Sequence, residues 1–303
     1  MKGGDHVIYD CLIIGGGIAG LQSSILLGRY DHNVLVIDSN DGRSNICNGY
    51  HNILGWPDGI SGPELRNIGK KQAESFGVNF VDDKIEKAES IDGNFVLSGK
   101  DGSKYTGKRL LITTGVMDRI PNFPELFPCL GLSVFVCPDC DGYEVKNKRT
   151  IVLGSGNPGA NMALTLYYWT KELIYINHEQ AEVDEKVLEK LKVKNIEYIN
   201  VPIQEVMADG ENFQGVKLAN GENVMSTRAF IAFGGKEVRS DLARQLGVEV
   251  LENKHILVDS RTKMTNIQNV WAAGDVVAHS EKAVIAMGEG AQAAIWIHKS
   301  LLN

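Results

Sequence analysis

The apolar and polar positions at the beginning of the chain follow a pattern that predicts a strand, a turn, a helix and a second strand. The apolar run at 9–14 predicts a β-strand, and the helix-forming residues at 21–28 predict an α-helix. A second apolar run at 34–37 predicts another strand, which ends at Asp38. This order is that of a βαβ unit, whose two strands pair in parallel.

Further elements are predicted between this unit and the middle of the chain. Residues 63–76 are rich in helix formers and open with proline, which favours a helix. The short runs 95–97 and 103–105 flank a K-D-G turn sequence and predict a β-hairpin. The apolar run 109–113 predicts a separate buried strand.

The same pattern recurs in the second half of the chain. A strand at 151–153, a helix at 160–169 and a strand at 173–176 are predicted in that order, which gives a second βαβ unit. Near the end, residues 267–271 predict one more strand and residues 288–302 a last helix. The pattern therefore predicts one βαβ fold that is interrupted by a second copy.

Each βαβ unit has a glycine-rich turn between its first strand and its helix. The first turn consists of Gly15, Gly16, Gly17, Ile18, Ala19 and Gly20, and the second contains Gly154, Gly156 and Gly159. A G-x-G-x-x-G sequence in this context is typical of dinucleotide binding, because glycine lets backbone N–H groups approach a pyrophosphate. Asp38, which follows Gly20 by eighteen residues, is placed to accept hydrogen bonds from a ribose.

A pair of cysteines lies between the two turns. Cys137 and Cys140 form a C-x-x-C sequence, which Asp141 follows directly. Two sulfurs at this spacing can open and close a small disulfide ring, and a neighbouring acid can move a proton as a thiolate leaves. The sequence therefore predicts redox chemistry that needs an electron carrier.

Composition narrows the possible functions. The chain has 303 residues, of which 43% are hydrophobic, and no run approaches the length of a membrane span. The polar opening 1–6 has no apolar signal segment, so a cytoplasmic location is expected. The net charge of -7 argues against nucleic acid or an anionic membrane as partner. The five cysteines include only one C-x-x-C pair, so no metal site is predicted.

Taken together, these motifs resemble the low-molecular-weight thioredoxin reductases, which are FAD-dependent disulfide reductases. The resemblance covers nearly the whole chain and includes T-T-G at 113–115, C-x-x-C-D-G at 137–142 and A-G-D-V at 273–276. It implies an α/β fold with two Rossmann-like three-layer dinucleotide-binding domains, the second inserted into the first. The implied boundaries are 1–118 and 242–303 for the FAD domain and 119–241 for the pyridine-nucleotide-like domain that carries the C-x-x-C pair.

The resemblance also implies roles for individual residues. Cys140 would lie over the flavin ring, Cys137 would exchange with the partner disulfide, and Asp141 would act as general acid. Asp275 would bind the ribityl chain of FAD, and the first glycine turn with Asp38 would hold the ADP half. The residues expected to bind the cofactor are Gly15, Gly17, Ile18, Ala19, Gly20, Asp38, His51, Asn52, Thr114, Gly115, Gly274 and Asp275.

The chain departs from the family at the electron donor. NADPH-dependent members have an H-R-R-x-x-x-R pattern after the second strand of the inserted domain, whereas residues 177–182 here read N-H-E-Q-A-E. Neither a histidine nor a carboxylate replaces a guanidinium that binds a phosphate through two hydrogen bonds. The departure argues against NADPH and favours ferredoxin or another protein as donor. The segment 45–59, with His51 and Asn52, is similar to divergent relatives that include ferredoxin-dependent reductases and dithiol oxidases.

Three functions are compatible with these residues. The first is a thioredoxin reductase-like enzyme that reduces a thioredoxin-like protein or a small disulfide, with homodimerisation implied by the resemblance. The second is a flavin-dependent dithiol oxidase that uses O₂. The third is a redox-sensing flavoprotein without efficient turnover. Asp141 favours the reductase, because the related oxidases usually have histidine at this position.

Overall fold

The computed structural model describes residues 7–302. The polar opening 1–6, on which the prediction of no signal segment depends, lies outside these residues. The strands are β1 (Ile8–Ile14), β2 (Val34–Asp38), β3 (Asn79–Asp82), β4 (Ile85–Ile91), β5 (Asn94–Gly99), β6 (Lys104–Ile112), β7 (Val116–Met117), β8 (Val134–Phe135), β9 (Thr150–Gly154), β10 (Leu173–Asn177), β11 (Glu197–Ile199), β12 (Ile203–Asp209), β13 (Asn212–Leu218), β14 (Asn223–Met225), β15 (Ala229–Ala232), β16 (Glu237–Val238) and β17 (Val270–Ala272). The α-helices are α1 (Ile18–Arg29), α2 (Arg43–Ile46), α3 (Gly62–Glu74), α4 (Pro138–Asp141), α5 (Gly156–Leu166), α6 (Glu185–Val193), α7 (Asp241–Gln245) and α8 (Ala283–Leu301). Two 3-10 helices span Pro124–Cys129 and Gly142–Val145.

The chain divides into two compact units. The first unit contains the chain up to Asn45, the segment Pro63–Met117 and the chain from Val238 onwards. The second unit contains Ile46–Gly62 and Asp118–Glu237. The segment Ile46–Gly62 therefore packs with the second unit, although the chain on both sides of it belongs to the first.

The first unit is built on a sheet with strand order β3-β2-β1-β6-β5-β4, in which β17 also pairs with β6. Strand β1 pairs in parallel with β2 and β6. Successive residues of β1 point to opposite faces, so Leu12 belongs to one core cluster and Ile13 to another. The cluster around Ile13 includes Ile25 of α1 and Ile297 of α8, which together cover that face of the sheet.

The second unit has a parallel sheet with strand order β11-β10-β9-β15-β8 and a separate antiparallel sheet of β12, β13 and β14. Val152 of β9 packs with Ala160 of α5 and Leu191 of α6. Leu153, the next residue, packs with Val216 of the antiparallel sheet. Both faces of the parallel sheet are covered, which explains why β9 and β10 read as continuous apolar runs.

Several predicted elements differ from those in the structure. The strands predicted at 103–105 and 109–113 are one strand, β6, because its first part pairs antiparallel with β5 and its second part parallel with β1. The strand predicted from residue 267 begins only at Val270, since Thr265 N donates to the carbonyl of Val270 and Asn269 has a φ of 66°. The last helix begins at Ala283, five residues before the predicted start, because the apolar residues before Gly288 are helical too.

Candidate active site

The first glycine turn is tight and closely packed. Gly15 has a φ of 103°, and a Cβ there would lie 2.5 Å from the carbonyl oxygen of Thr113. The Thr113 hydroxyl donates to the carbonyl oxygens of Ile14 and Gly15 at 3.0 and 2.7 Å. A Cβ at Gly20 would collide with the carbonyl oxygen of Gly15, whereas one at Gly17 would meet nothing. Thr113 therefore holds the turn on one side, while the space beside Gly17 is open. A turn that binds a pyrophosphate through its backbone N–H groups needs such an open side.

Asp38, at the end of β2, is held by an arginine that the sequence analysis missed. Arg66 of α3 donates to Asp38 Oδ2 at 2.6 Å, and both side chains are largely buried. A cavity of about 360 Å³ opens beside this pair, and its lining includes Gly16, Lys70 and Phe80. The cavity lies where the second strand ends beside the glycine turn, which is the position of the adenosine in a dinucleotide fold. The residues present therefore fit an FAD.

The A-G-D-V sequence lies against the first glycine turn. Gly274 has a φ of 80°, and a Cβ on it would lie 2.8 Å from the Cβ of Ala19. Asp275 Oδ2 accepts a hydrogen bond from Arg43 at 3.2 Å, and Arg43 also pairs with Glu281 at 3.1 Å. Residues from early in the sequence, Ala19 and Arg43, thus contact Gly274 and Asp275 within the first unit. Arg43, like Arg66, had no signal in the local sequence.

The threonine and glycine after β6 are held by the returning chain. The Thr114 hydroxyl donates to the carbonyl oxygen of Arg239 at 2.6 Å, and Arg239 N donates to the carbonyl of Gly115 at 3.1 Å. Gly115 has a φ of 67°, a conformation that glycine adopts without strain. Arg239 also forms an ion pair with Asp41 at 2.8 Å. Thr114 and Gly115 therefore lie in the same unit as the other predicted FAD-binding residues except His51 and Asn52.

Cys137 and Cys140 form a disulfide in the second unit, with their Cα atoms 5.3 Å apart. Cys137 precedes the short helix α4, and the Asp141 N–H donates to the Cys137 carbonyl at 3.0 Å. Both cysteines and Asp141 are partly exposed. A Cβ at Gly142 would lie 2.6 Å from the ring of Trp169, so the loop after the cysteines is pressed against an aromatic side chain.

His51 and Asn52 belong to the same unit as the disulfide. The His51 ring contacts the carbonyl oxygen of Gly131 through Nε2 at 3.0 Å. Asn52 Nδ2 donates to the carbonyl oxygen of Cys140 at 3.3 Å. Tyr50 and Ile60 form an antiparallel bridge that closes this segment into a loop. Asn52 is therefore in contact with the redox loop, which the sequence analysis did not anticipate.

A side chain of β10 packs closely behind the second glycine turn. The ring of Tyr175, a fully buried residue of β10, would collide with a Cβ at Gly159. The Tyr175 hydroxyl donates to the carbonyl oxygen of Gly156 at 2.7 Å. Burial raises the pKa of Tyr175 above its ordinary value, so this hydroxyl keeps its proton. The glycines of this turn make room for tyrosine.

Asn177, at the end of β10, is saturated by internal hydrogen bonds. Its Oδ1 accepts the N–H of Gly156 at 3.0 Å. Its Nδ2 contacts the carbonyl of Ala181 at 2.8 Å, Oδ1 of Asn200 at 3.0 Å and the hydroxyl of Tyr198 at 3.1 Å. Asn177 is completely buried. Asn177 lies at the position that binds ribose in a dinucleotide fold, and its side-chain oxygen and nitrogen are both engaged in hydrogen bonds within the protein.

The residues after Asn177 do not supply a cationic clamp. His178 Nδ1 accepts the N–H of Ile203 at 2.8 Å, which requires an unprotonated Nδ1. Burial lowers the pKa of His178 and favours the same neutral state. Glu179 forms an ion pair with Arg119, and its hydrogen bonds with Ser155 and Arg119 hold the pKa of Glu179 low. The positive charge of Arg119 is therefore already balanced.

Comparison with known proteins places the chain in a class. The model of the pyridine nucleotide-disulphide oxidoreductase family matches residues 9–290, and the chain belongs to this family. The thioredoxin reductase of Rickettsia bellii is 28% identical over 96% of this chain and 97% of its own length. The thioredoxin reductase of Coxiella burnetii is 29% identical over 95% of this chain and 94% of its own length.

Solved structures confirm the fold. The crystal structure of thioredoxin reductase from Streptococcus pyogenes has a TM-score of 0.86 to this chain, covers 98% of it and is itself covered to 99%. At 23% identity this likeness shows the fold alone. The predicted α/β class with two Rossmann-like domains is confirmed, as is the resemblance to the low-molecular-weight thioredoxin reductases.

The family also defines the kind of chemistry. The protein is an enzyme, an FAD-dependent disulfide oxidoreductase of the thioredoxin reductase type. Among the described residues, no helix combines the length and apolar character that a membrane crossing requires. Within residues 7–302, no three His, Cys, Asp or Glu side chains are grouped in a way that could hold a metal ion.

Proposed function

We propose that the enzyme passes two electrons through the Cys137–Cys140 disulfide to the disulfide of a thioredoxin-like protein. The observation that carries the proposal is this disulfide, partly exposed and followed by Asp141, in a chain of the disulphide oxidoreductase family. FAD, when bound, supplies the two electrons. The proposed FAD site comprises the first glycine turn, Asp38 and Asp275.

The cysteines exchange one disulfide for another. Two electrons and two protons convert the Cys137–Cys140 disulfide into two thiols. The Cys137 thiolate attacks one sulfur of the partner disulfide, which forms a mixed disulfide and releases the other partner sulfur as a thiolate. Cys140 then attacks Sγ of Cys137, so the internal disulfide forms again and the partner leaves with two thiols.

Asp141 is proposed to supply the proton for the departing thiolate. Proton transfer by a positioned acid typically contributes roughly 10²- to 10⁴-fold in rate. Asp141 is adjacent to Cys140 in sequence, and its own N–H is tied to the carbonyl of Cys137. The carboxyl therefore moves together with the disulfide loop.

We propose a protein such as ferredoxin as the electron donor in preference to NADPH. Two features of the second unit support this preference: the saturated Asn177 and the neutral His178. A pyridine nucleotide would need the backbone N–H of Gly156, which Asn177 already occupies. A 2′-phosphate would in addition need a free cation, whereas Arg119 is paired with Glu179.

Thioredoxin is the proposed partner because relatives over nearly the full length are thioredoxin reductases. A homodimer and a cytoplasmic location are proposed on the same basis. The second candidate function is a dithiol oxidase, in which electrons from a dithiol pass through the same cysteine pair to O₂. Asp141 favours the reductase over this oxidase, and the presence of both cysteines favours it over a sensor without turnover.

The test is anaerobic stopped-flow spectroscopy of the FAD-loaded enzyme mixed with NADPH, NADH or reduced ferredoxin. We expect rapid bleaching of the flavin absorbance by ferredoxin alone, followed by reduction of added thioredoxin disulfide. Rapid bleaching by NADPH would contradict the proposed donor but leave the disulfide reductase intact. Oxygen consumption with a dithiol, without thioredoxin reduction, would support the oxidase. Cys137→Ser is the matched control, since its flavin should bleach while thioredoxin stays oxidised.

A further inference from the structure

A buried carboxylate lies directly behind the A-G-D-V turn. Glu289 of α8 is 8% exposed and stands between Gly288 and Gly290. Burying a carboxylate is unfavourable unless hydrogen bonds and charges compensate it. Glu289 Oε2 accepts the backbone N–H of Gly274 at 3.0 Å. The carboxylate therefore holds the glycine that precedes Asp275.

Two cations hold Glu289 in turn. Lys263 Nζ lies 2.8 Å from Oε1, and His279 Nε2 lies 2.6 Å from Oε2. All three side chains are largely buried. Burial alone would raise the pKa of Glu289, but the hydrogen bonds from His279 and Lys263 hold it below its ordinary value. Glu289 is thus a carboxylate with a partner on each oxygen.

The surroundings of His279 require both of its nitrogens to donate. Nε2 faces the carboxylate of Glu289, and Nδ1 lies 2.7 Å from the carbonyl oxygen of Ser280. Neither oxygen can donate a hydrogen, so both contacts are hydrogen bonds only when the ring is an imidazolium. The hydrogen bond to Glu289 raises the pKa of His279, and the charge of Asp275 acts in the same direction.

Lys263 occupies a backbone position that does not suit lysine. Its φ is 61°, in the left-handed region that disfavours residues with a Cβ. Its carbonyl accepts the N–H of Ala272 in β17 at 3.1 Å, so the strained turn is tied to the strand that leads into Gly274. Glycine or asparagine would fit this turn with less strain. A lysine here is explained by its side chain, which reaches Glu289.

We propose that Glu289, with Lys263 and His279, is the positioning group of the flavin site. Lys263⁺ and His279⁺ fix the Glu289 carboxylate, Glu289 fixes the N–H of Gly274, and Gly274 sets the direction of Asp275 towards the cofactor. The charged groups that face His279 are Glu289 and Asp275, and Lys263 faces it across Glu289. The inference rests on the proposed placement of FAD at Asp275.

The test measures FAD affinity of the full-length protein by flavin fluorescence across pH. Glu289→Gln should weaken FAD binding about 10-fold or more, because the amide has no negative charge and only one oxygen to accept hydrogen bonds, so Lys263, His279 and Gly274 cannot all keep their partner. In the unmodified protein the affinity should fall as pH rises through the raised pKa of His279, because the neutral ring loses one of its two donors. His279→Asn should abolish this pH step. Lys108→Met is the matched control, since it breaks an exposed ion pair with Asp10 in the same unit.

The variants distinguish a failure of the proposed FAD placement from a failure of the proposed positioning role. If Asp275→Asn binds FAD as tightly as the unmodified protein, the proposed FAD placement is wrong. If Asp275→Asn weakens binding but Glu289→Gln does not, or if the pH step persists in His279→Asn, the positioning role is refuted. Should Glu289→Gln fail to fold, Lys263→Met replaces it, and unchanged FAD affinity in that variant counts against the inference.

Discussion

Asn52 and Cys140, which are 88 residues apart in sequence, are joined by a hydrogen bond from the asparagine Nδ2 to the cysteine carbonyl at 3.3 Å. The contact is seen with the Cys137–Cys140 disulfide closed. It ties the loop Ile46–Gly62 to the redox pair within the second unit. The loop is thereby in a position to influence the redox equilibrium of the pair.

Asn52→Ala should make the cysteine pair easier to reduce. A neutral hydrogen bond contributes about 0.5–1.5 kcal/mol, which for a two-electron couple corresponds to about 10–30 mV. Because the bond supports the oxidised loop, its loss should raise the reduction potential, measured by equilibration with glutathione buffers. Asn48→Ala is the control, since Asn48 in the same loop donates to Phe127 and Pro128 and not to the redox pair. Equal potentials in the two variants would contradict the prediction.

The two cysteines should respond differently to replacement by serine. In Cys140→Ser, Cys137 can still attack the thioredoxin disulfide, but no second thiol can resolve the product. A mixed disulfide with thioredoxin should therefore accumulate. Cys137→Ser should form no such adduct. Non-reducing mass spectrometry measures the adduct, and flavin absorbance checks that both variants keep FAD. An adduct in Cys137→Ser alone would reverse the assigned roles.

Arg66→Leu should weaken FAD binding about 10-fold, because removing one partner of a largely buried charge pair leaves Asp38 without its hydrogen bond. Titration of the apoprotein with FAD measures the affinity. Arg244→Leu is the control, as its ion pair with Asp241 is exposed. An affinity that is unchanged in Arg66→Leu would show that Asp38 needs no such support.

Two glycines of α8 should have opposite effects when each is replaced by alanine. A Cβ at Gly288 meets nothing within 4 Å, so Gly288→Ala should raise the free energy of unfolding by about 0.5–1 kcal/mol. A Cβ at Gly290 would collide with the carbonyl oxygen of Ala19 and lie 3.0 Å from the hydroxyl of Ser23. Gly290→Ala should therefore destabilise the first unit by roughly 1–3 kcal/mol. Urea unfolding compares the two, and equal effects would argue against the close packing of α1 on α8.

The stability of the first unit should depend on a histidine pair. His32 Nε2 and His298 Nδ1 lie 2.8 Å apart, and the ring of Tyr30 stacks on His298. Burial is the main cause that lowers the pKa of His32 below its ordinary value of 6.5, and the charge of the neighbouring His298 acts in the same direction. As pH falls through 6.5 the unfolded chain takes up the proton first, so the free energy of unfolding should decrease.

Urea unfolding at several pH values tests this pair. The decrease should end once His32 is also protonated in the folded protein. His32→Asn should show a smaller decrease over the same range, because the titrating group is gone. An identical pH dependence in both proteins would assign the effect to another group.

The sequence predicted the parts of the fold that local patterns determine. The strands β1, β2, β9 and β10 are buried on both faces, so each reads as an apolar run, and the glycine turns follow from their spacing. Strand β4 escaped prediction because its two buried residues, Ile85 and Ala88, are three apart, and a register shift between Ile85 and Lys87 breaks the two-residue alternation of a strand. The cysteine pair and the family were recognisable for the same reason as the turns: their signals are contiguous in sequence.

The contacts that complete the site could not be predicted in this way. Arg66 and Asp38 are 28 residues apart in sequence, and Asn52 and Cys140 are 88 apart. Only the folded chain brings each pair together, so the sequence around these residues does not indicate either contact. The packing of Tyr175 behind the second glycine turn is of the same kind. A weak signal did exist for Glu289, since an acid between two glycines in the otherwise apolar stretch 283–291 is unusual.

The close approach of Gly274 to Ala19 has a consequence for biosynthesis. The first unit joins early residues of the sequence to β17 and α8, so the proposed nucleotide site cannot be complete before α8 has been synthesised. Every residue of the second unit, by contrast, precedes Val238. We expect the redox-active unit to fold on the ribosome before α8 has been synthesised, with FAD uptake by the first unit only after α8 has emerged.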